Sequence, residues 1–164
     1  MKESISDFGL SDVPVGSQLW VFPFERALSG VELESLSVEL KSVIERWKSH
    51  GAEVRGGFAV VDGQFLLVAG GSEGAMPSGC SIDGLFRSVT REAKKIEVPI
   101  ADYSRVFYVE GENIRSASRQ EFKELASEDT LVYDPAIQKV DAFRNGKFKL
   151  RAGDSWHKQL INAS

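Results

Sequence analysis

The single cysteine of the chain, Cys80, lies in the segment "AMPSGCSIDGLFRSV" at 75–89, where a helical pattern begins. Glycines in the preceding loop permit backbone conformations with exposed N–H groups, and a helix start adds unpaired donors and the positive end of its dipole. Together these features favour an anion-accepting site over 70–83. We expect Ser78, Gly79 and Ser81 to shape it.

A thiol at such a position can also act as a nucleophile. In a thiol-dependent enzyme Cys80 would be the nucleophile, His50 the base that takes its proton, and Asp83 or Glu110 an orienting group. Each residue also has a structural interpretation. A lone cysteine is commonly a packed residue, a histidine beside Gly51 caps the end of a helix, and the dipole alone favours Asp83 in a first turn.

The sequence lacks the residue patterns of zinc sites, P-loops and G-x-S-x-G hydrolases. Cys80, His50, His157 and Asp83 are metal-ligand types, but no two have a recognised zinc spacing, so no metal site is expected. The glycine-rich loop is not followed by Lys-Ser/Thr, as a P-loop requires, and no G-x-S-x-G sequence occurs. We therefore expect no cofactor.

Composition and charge restrict the partners. The chain has 164 residues with 20 basic and 24 acidic side chains, a net charge of −4, which disfavours general nucleic-acid binding. The longest uncharged apolar run, at 65–71, is too short to span a membrane. The N-terminal segment lacks the apolar region of a signal peptide, and one cysteine fits a reducing cytoplasm.

Hydrophobic periodicity predicts the first helix. Ser29 and Glu32 have capping-box spacing, Gly51 can end the helix, and the apolar residues between them recur at steps of three and four. That stripe comprises Leu33, Leu36, Leu40, Val43, Ile44 and Trp47.

The remaining pattern predicts an α+β fold. A strand at 18–25 precedes this helix, a hairpin with an Asp62-Gly63 turn follows it, and a second amphipathic helix starts near 80. With a strand at 104–110, the order is the split βαβ, or ferredoxin-like, order of a single antiparallel sheet with helices on one face.

The C-terminal third predicts an α/β extension to this core. A helix with a Ser118–Glu121 capping box is expected at 118–128, a strand at 130–134, and at 140–151 either an Asn-Gly hairpin or a helical turn followed by a strand. The domain prediction is a flexible arm at 1–16 and one α+β domain at 17–164.

Topology then predicts which distant residues meet. In the split βαβ order, the end of the first helix and the start of the second lie at the same end of the sheet. Trp47 and His50 would therefore approach the 70–83 loop, with Glu110 at the far end of the fourth strand nearby.

Several segments resemble an uncharacterised family of short bacterial proteins, often labelled "ABC transporter ATPase". The resemblance rests on "SGCSID" at 78–83, a Trp-x-x-His-Gly helix end at 47–51, "SRVFYV" at 104–109 and "DSW" at 154–156. It spans about Trp20 to Trp156 and departs from the family near Gly84, where a polar or charged residue is preferred. Because no P-loop is present, the ATPase label fails.

The resemblance implies that one site gathers residues from the whole chain. Those residues are Trp47, His50, Cys80, Ser81, Asp83, Arg105 and Trp156.

Three functions compete. The first is a binding module for a small anionic ligand or an acidic group of a protein partner, in which Arg105 adds a positive charge. The second is the thiol-dependent enzyme described above. The third is an assembly role, in which the exposed edge of the sheet joins copies into a homo-oligomer.

Overall fold

In a computed structural model of the chain, residues 5–48, 54–71 and 77–162 are described. They form eight strands and five α-helices, an α+β fold with two four-stranded antiparallel sheets. Contacts group the chain into two compact units, where the sequence predicts one domain at 17–164. The N-terminal unit is Lys2–Ala101 with Gln138–Asp141, and the C-terminal unit contains Asp102–Ile137 and Ala142–Ser164.

The N-terminal unit contains the first sheet, in the order β1-β3-β4-β2. Its strands are β1 (Ile5–Phe8), β2 (Gln18–Pro23), β3 (Arg55–Val61) and β4 (Phe65–Gly71). The segment 1–16, predicted as a flexible arm, thus contains β1 and a 3₁₀ turn, and Leu10 and Val13 within it are buried. The β3–β4 connection takes three residues, 62–64, instead of the two predicted.

Two helices, α1 (Gly30–Lys48) and α2 (Gly79–Ile96), pack against each other and against one face of this sheet. The predicted capping box of α1 is confirmed, because Ser29 N–H donates to Glu32 Oε1 at 2.8 Å and Glu32 N–H donates to Ser29 Oγ at 3.2 Å. Its predicted apolar stripe is confirmed too, with Leu36 and Leu40 fully buried.

The C-terminal unit contains the second sheet, in the order β6-β5-β7-β8. Its strands are β5 (Val106–Glu110), β6 (Asn113–Ala117), β7 (Leu131–Tyr133) and β8 (Lys149–Arg151). Helices α3 (Arg119–Leu125) and α5 (Lys158–Asn162) pack together, and the predicted Ser118–Glu121 capping box of α3 is confirmed. At 140–151 the chain forms the predicted helical turn, α4 (Val140–Arg144), before β8.

The single ferredoxin-like sheet predicted from the sequence differs from the structure at β5. That strand pairs with β6 and β7 in the second sheet. The physical reason is local. A two-residue turn joins β5 to β6, so this pairing costs little loop entropy, and Gly111 adopts the positive φ of 63° that the turn requires.

In a ferredoxin-like sheet, the fourth strand would lie at the edge of β2. Here two shorter segments of the same unit form hydrogen bonds with that edge. Ala101 N–H donates to Pro23 O at 2.8 Å, and Leu19 N–H donates to Gln138 O at 2.9 Å. Among the helices of the described residues, none is both long and apolar enough to cross a bilayer.

Candidate functional site

An open cleft of about 680 Å³ lies between α1 and α2 in the N-terminal unit. The two helices pair along their length, because Ser35 on α1 donates to Glu92 on α2, and Arg91 on α2 donates to Glu39 on α1. Beyond these contacts, the C-terminal part of α1 and the first turns of α2 line the cleft. Its lining residues are Val43, Arg46 and Trp47 from α1, the N-cap Ser78, and Cys80, Ser81, Gly84, Arg87, Ser88 and Arg91 from α2.

The start of α2 forms one end of this cleft. Ser78 adopts the extended N-cap conformation, and its Oγ accepts the backbone N–H of Ser81 at 3.1 Å and lies 3.0 Å from Ser81 Oγ. The cap fixes where the helix begins and leaves the first N–H groups of the turn without intrahelical acceptors. The positive end of the α2 dipole therefore lies at the end of the cleft that Ser78, Cys80 and Ser81 line.

Trp47 is the large apolar residue of the lining, and its side chain is only 3% exposed. It packs edge-on to Trp20, with ring centroids 6.1 Å apart. Gly56 and Gly70, which pair with each other across β3 and β4, leave room for this ring. The glycines of the sheet thus position the apolar part of the cleft.

Three guanidinium groups line the cleft, on Arg46, Arg87 and Arg91. Arg91 Nη2 lies 2.6 Å from Glu39 Oε1, an ion pair that is partly open to solvent. Within the described ranges, neither Arg46 nor Arg87 has a carboxylate within 4.0 Å. The cleft therefore combines positive side chains with a positive helix end, the arrangement that recognises anions.

Several predicted site residues meet at this cleft, namely Trp47, Ser78, Cys80 and Ser81. Cys80 is exposed, as a reactive or ligand-contacting thiol needs to be. Gly79, the first residue of α2, and Asp83 are exposed but are not among the lining residues. His50 and the loop residues 72–76 lie outside the described residues, so the predicted approach of His50 to Cys80 stays a prediction.

Arg105 and Trp156 belong to the C-terminal unit and are not among the lining residues of the cleft. Arg105 Nη2 instead donates to Ser116 O at 3.1 Å, between β6 and the start of β5. Trp156 stacks on His157 with centroids 4.0 Å apart, and Arg119 lies over its ring. Burial lowers the pKa of His157 to about 4, so that imidazole is neutral near pH 7.

The three arginines of the cleft were not predicted as site residues, although the sequence contains a signal for them. Arg87 and Arg91 follow Cys80 by about two and three helical turns, which places them on the same face of α2. Ser81 directly follows Cys80. Arg46 directly precedes Trp47 on α1. Charged residues at such positions usually lie on a solvated helix face, and only the pairing of α1 with α2 shows that these three surround one cleft.

The described part of the chain was compared with the ligand sets of metal centres. Within 5–48, 54–71 and 77–162, no group of three or more His, Cys, Asp or Glu side chains is placed to hold a metal ion.

In comparisons with known proteins, no protein-family model, no curated protein and no solved structure matches the chain.

Proposed function

We propose that this protein is a small binding module that accepts an anionic ligand in the cleft between α1 and α2. The observation that carries the proposal is the convergence of Arg46, Arg87 and Arg91 with the start of α2 on one open cleft. The proposed ligand is a small phosphorylated or carboxylated molecule, and the proposed compartment is the cytoplasm. Kinship with the SGCSID-containing bacterial family is part of the same proposal.

Arginine is well suited to this task. Its planar guanidinium carries five N–H donors and binds the oxygens of a phosphate or carboxylate in pairs. Arg87 lies two turns into α2, and helical side chains point back toward the N-terminus of their helix. An anion near Ser81 can therefore receive donors from both the helix start and the Arg87 side chain.

The remaining lining is suited to the rest of a small molecule. A cleft of about 680 Å³ falls within the range of about 300 to 1,000 Å³ that small-molecule sites occupy. Trp47 and Val43 provide apolar contact, while the hydroxyls of Ser78, Ser81 and Ser88 provide hydrogen-bonding groups. Orientation would come from the polar groups and affinity from both kinds of contact.

Binding of defined anions to the intact protein tests the proposal. We expect inorganic phosphate, phenyl phosphate or benzoate to raise the melting temperature in a concentration-dependent way, because a ligand of the folded state stabilises it. Arg87→Ala should weaken binding about tenfold, the loss expected for a charge-assisted hydrogen bond. The matched control is Arg115→Ala, which removes an exposed cation of the C-terminal unit.

Two results would contradict the proposal. One is a melting temperature that none of the three anions changes. The other is equal weakening by the Arg87 and Arg115 substitutions, since this would indicate screening by overall charge instead of a site.

The exposure of Cys80 favours a second candidate, a thiol-dependent enzyme using the same cleft. In that case the Cys80 thiolate adds to the carbonyl carbon of a bound ester, and the amides at the start of α2 stabilise the negative charge on its oxygen. Collapse to a thioester breaks the carbon–oxygen bond and expels the alcohol, which takes up the proton lost by the thiol. Cys80→Ser separates the two functions. The substitution should leave anion binding almost unchanged in a binding module and abolish turnover in an enzyme.

A further inference from the structure

The ion pair between Arg91 and Glu39 joins α2 to α1 at the lining residue that lies farthest along α2 from Cys80. Arg91 Nη2 donates to Glu39 Oε1 at 2.6 Å and also lies 3.5 Å from Ser88 Oγ. The next polar contact along the helices, from Ser35 to Glu92, lies farther from the start of α2. Glu39 is thus the α1 carboxylate that forms an ion pair with an arginine of the cleft.

This pair changes the charge that a ligand meets. Of the three arginines at the cleft, Arg91 is neutralised by a direct partner, whereas Arg46 and Arg87 have none within the described part of the chain. Arg46 and Arg87 are therefore the two arginines of the lining that a ligand can engage without displacing an ion-pair partner. A third becomes available only if Arg91 is released from Glu39.

We infer, on the basis of the proposed function, that the cleft selects a dianionic group of the phosphate-monoester class and that Glu39 sets this selectivity by engaging Arg91. A dianion balances both available guanidinium groups. A monoanion leaves one of them unbalanced, and a more highly charged diphosphate places its additional charge against the Glu39 carboxylate.

The geometry of a phosphate monoester agrees with this charge count. Its three terminal oxygens can accept from guanidinium forks on two sides and from the amides at the start of α2. A planar carboxylate has only two oxygens and one charge, so it cannot satisfy the same donors at once.

Three ligands of known charge test the inference by isothermal titration calorimetry at one ionic strength, near pH 8. Methyl phosphate is a dianion there, since the second pKa of a phosphate monoester is about 6. Dimethyl phosphate is the monoanion with the same tetrahedral centre, and pyrophosphate carries more charge. We expect methyl phosphate to bind wild-type protein at least about tenfold more tightly than dimethyl phosphate.

Glu39→Gln removes the competing charge while keeping an oxygen that can accept from Arg91. It should raise the affinity for pyrophosphate about tenfold and that for methyl phosphate less. Glu34→Gln, an exposed glutamate on the same helix, is the matched control and should change neither affinity. Both variants should fold, because partly exposed ion pairs contribute little to stability.

The outcomes separate this inference from the proposed function. If none of the three ligands binds, anion binding itself is refuted. If methyl and dimethyl phosphate bind equally, the cleft binds anions but does not select a dianion. If Glu39→Gln and Glu34→Gln have equal effects on pyrophosphate, Glu39 does not set the selectivity.

Discussion

Trp47 lies against Gly70 so closely that a Cβ atom at position 70 would come within 2.6 Å of the indole Cζ3. Gly56, the neighbour of Gly70 across β3 and β4, is covered by the same ring, and a Cβ there would lie 2.9 Å from Cε3. Two adjacent glycines therefore form a flat surface on the sheet that receives the indole. The position of Trp47 in the cleft depends on both.

The first prediction concerns this contact. Gly70→Ala should lower the free energy of unfolding by about 1 to 3 kcal/mol, because the buried indole must shift to admit a methyl group. Urea denaturation followed by tryptophan fluorescence measures the change. Gly84→Ala is the control, since no atom lies within 4 Å of its Cβ position, and alanine in a helix should raise stability by about 0.5 to 1 kcal/mol. Equal stabilities of Gly70→Ala and wild type would contradict the contact.

Sequence patterns predicted local structure where the signal was itself local. The capping boxes at Ser29 and Ser118 and the apolar stripe of α1 are such cases, because residues three or four positions apart specify them. The pairing of β5 was predicted wrongly. Its apolar residues fit either sheet, and its partners β6 and β7 are determined by a turn and by packing elsewhere in the chain.

The residues of the candidate site, too, were predicted from the sequence only in part. Composition around Cys80 indicated the start of α2, and helix order indicated that Trp47 would meet it. The arginines could not be assigned from single-helix patterns, because a charged residue on a predicted helix is most simply a solvated one. Their place around one cleft depends on how α1 and α2 pack together, through the hydrogen bonds Ser35–Glu92 and Glu39–Arg91.

The N-cap of α2 offers a way to separate stability from binding. Ser78→Ala should destabilise the protein by about 1 kcal/mol, since the backbone N–H of Ser81 loses its acceptor. Ser78→Asp keeps a capping oxygen and should retain most of the stability. Its added negative charge lies at the cleft, however, and should weaken phosphate binding about tenfold.

Thermal denaturation and calorimetric titration with phosphate measure the two effects on the same samples. Ser118→Asp is the matched control, because it makes the same change in charge at the N-cap of α3, a helix of the other unit. We expect it to leave phosphate affinity within about twofold of wild type, because Ser118 is not among the residues that line the cleft. Equal weakening by both aspartates would show that the cleft is not the binding site.

The lowered pKa of the buried His157 side chain should make the stability of the protein depend on pH. Burial lowers this pKa from 6.5 to about 4 in the folded protein. Between these values the unfolded chain binds a proton that the folded protein does not, so stability falls as the pH falls. Between pH 7 and pH 5 the free energy of unfolding should decrease by about 2 kcal/mol from this residue.

Urea denaturation at the two pH values measures the loss. The relevant quantity is the difference in pH dependence between wild type and His157→Gln, because carboxylates also contribute in this range. In His157→Gln about 2 kcal/mol of the pH-dependent loss should disappear, whatever the stability of the variant at pH 7. An unchanged pH dependence in His157→Gln would contradict a neutral, buried imidazole.

The last prediction uses Cys80 as a reporter of the cleft. It is the single cysteine of the chain and is exposed at the start of α2, so iodoacetamide labelling reports on that position alone. A ligand bound by Arg46 and Arg87 would cover the thiol. Saturating methyl phosphate should therefore slow alkylation several-fold in wild-type protein, measured by mass spectrometry over time at constant pH and ionic strength.

Arg87→Ala should abolish this protection at the same ligand concentration, whereas Arg115→Ala should keep it. A free small thiol in the same solutions shows whether phosphate affects the reagent itself. Protection that survives Arg87→Ala would mean that the anion reaches Cys80 without the guanidinium cluster, and the helix start alone would then account for binding. Alkylation unaffected by phosphate, despite binding detected by calorimetry, would place the anion elsewhere on the protein.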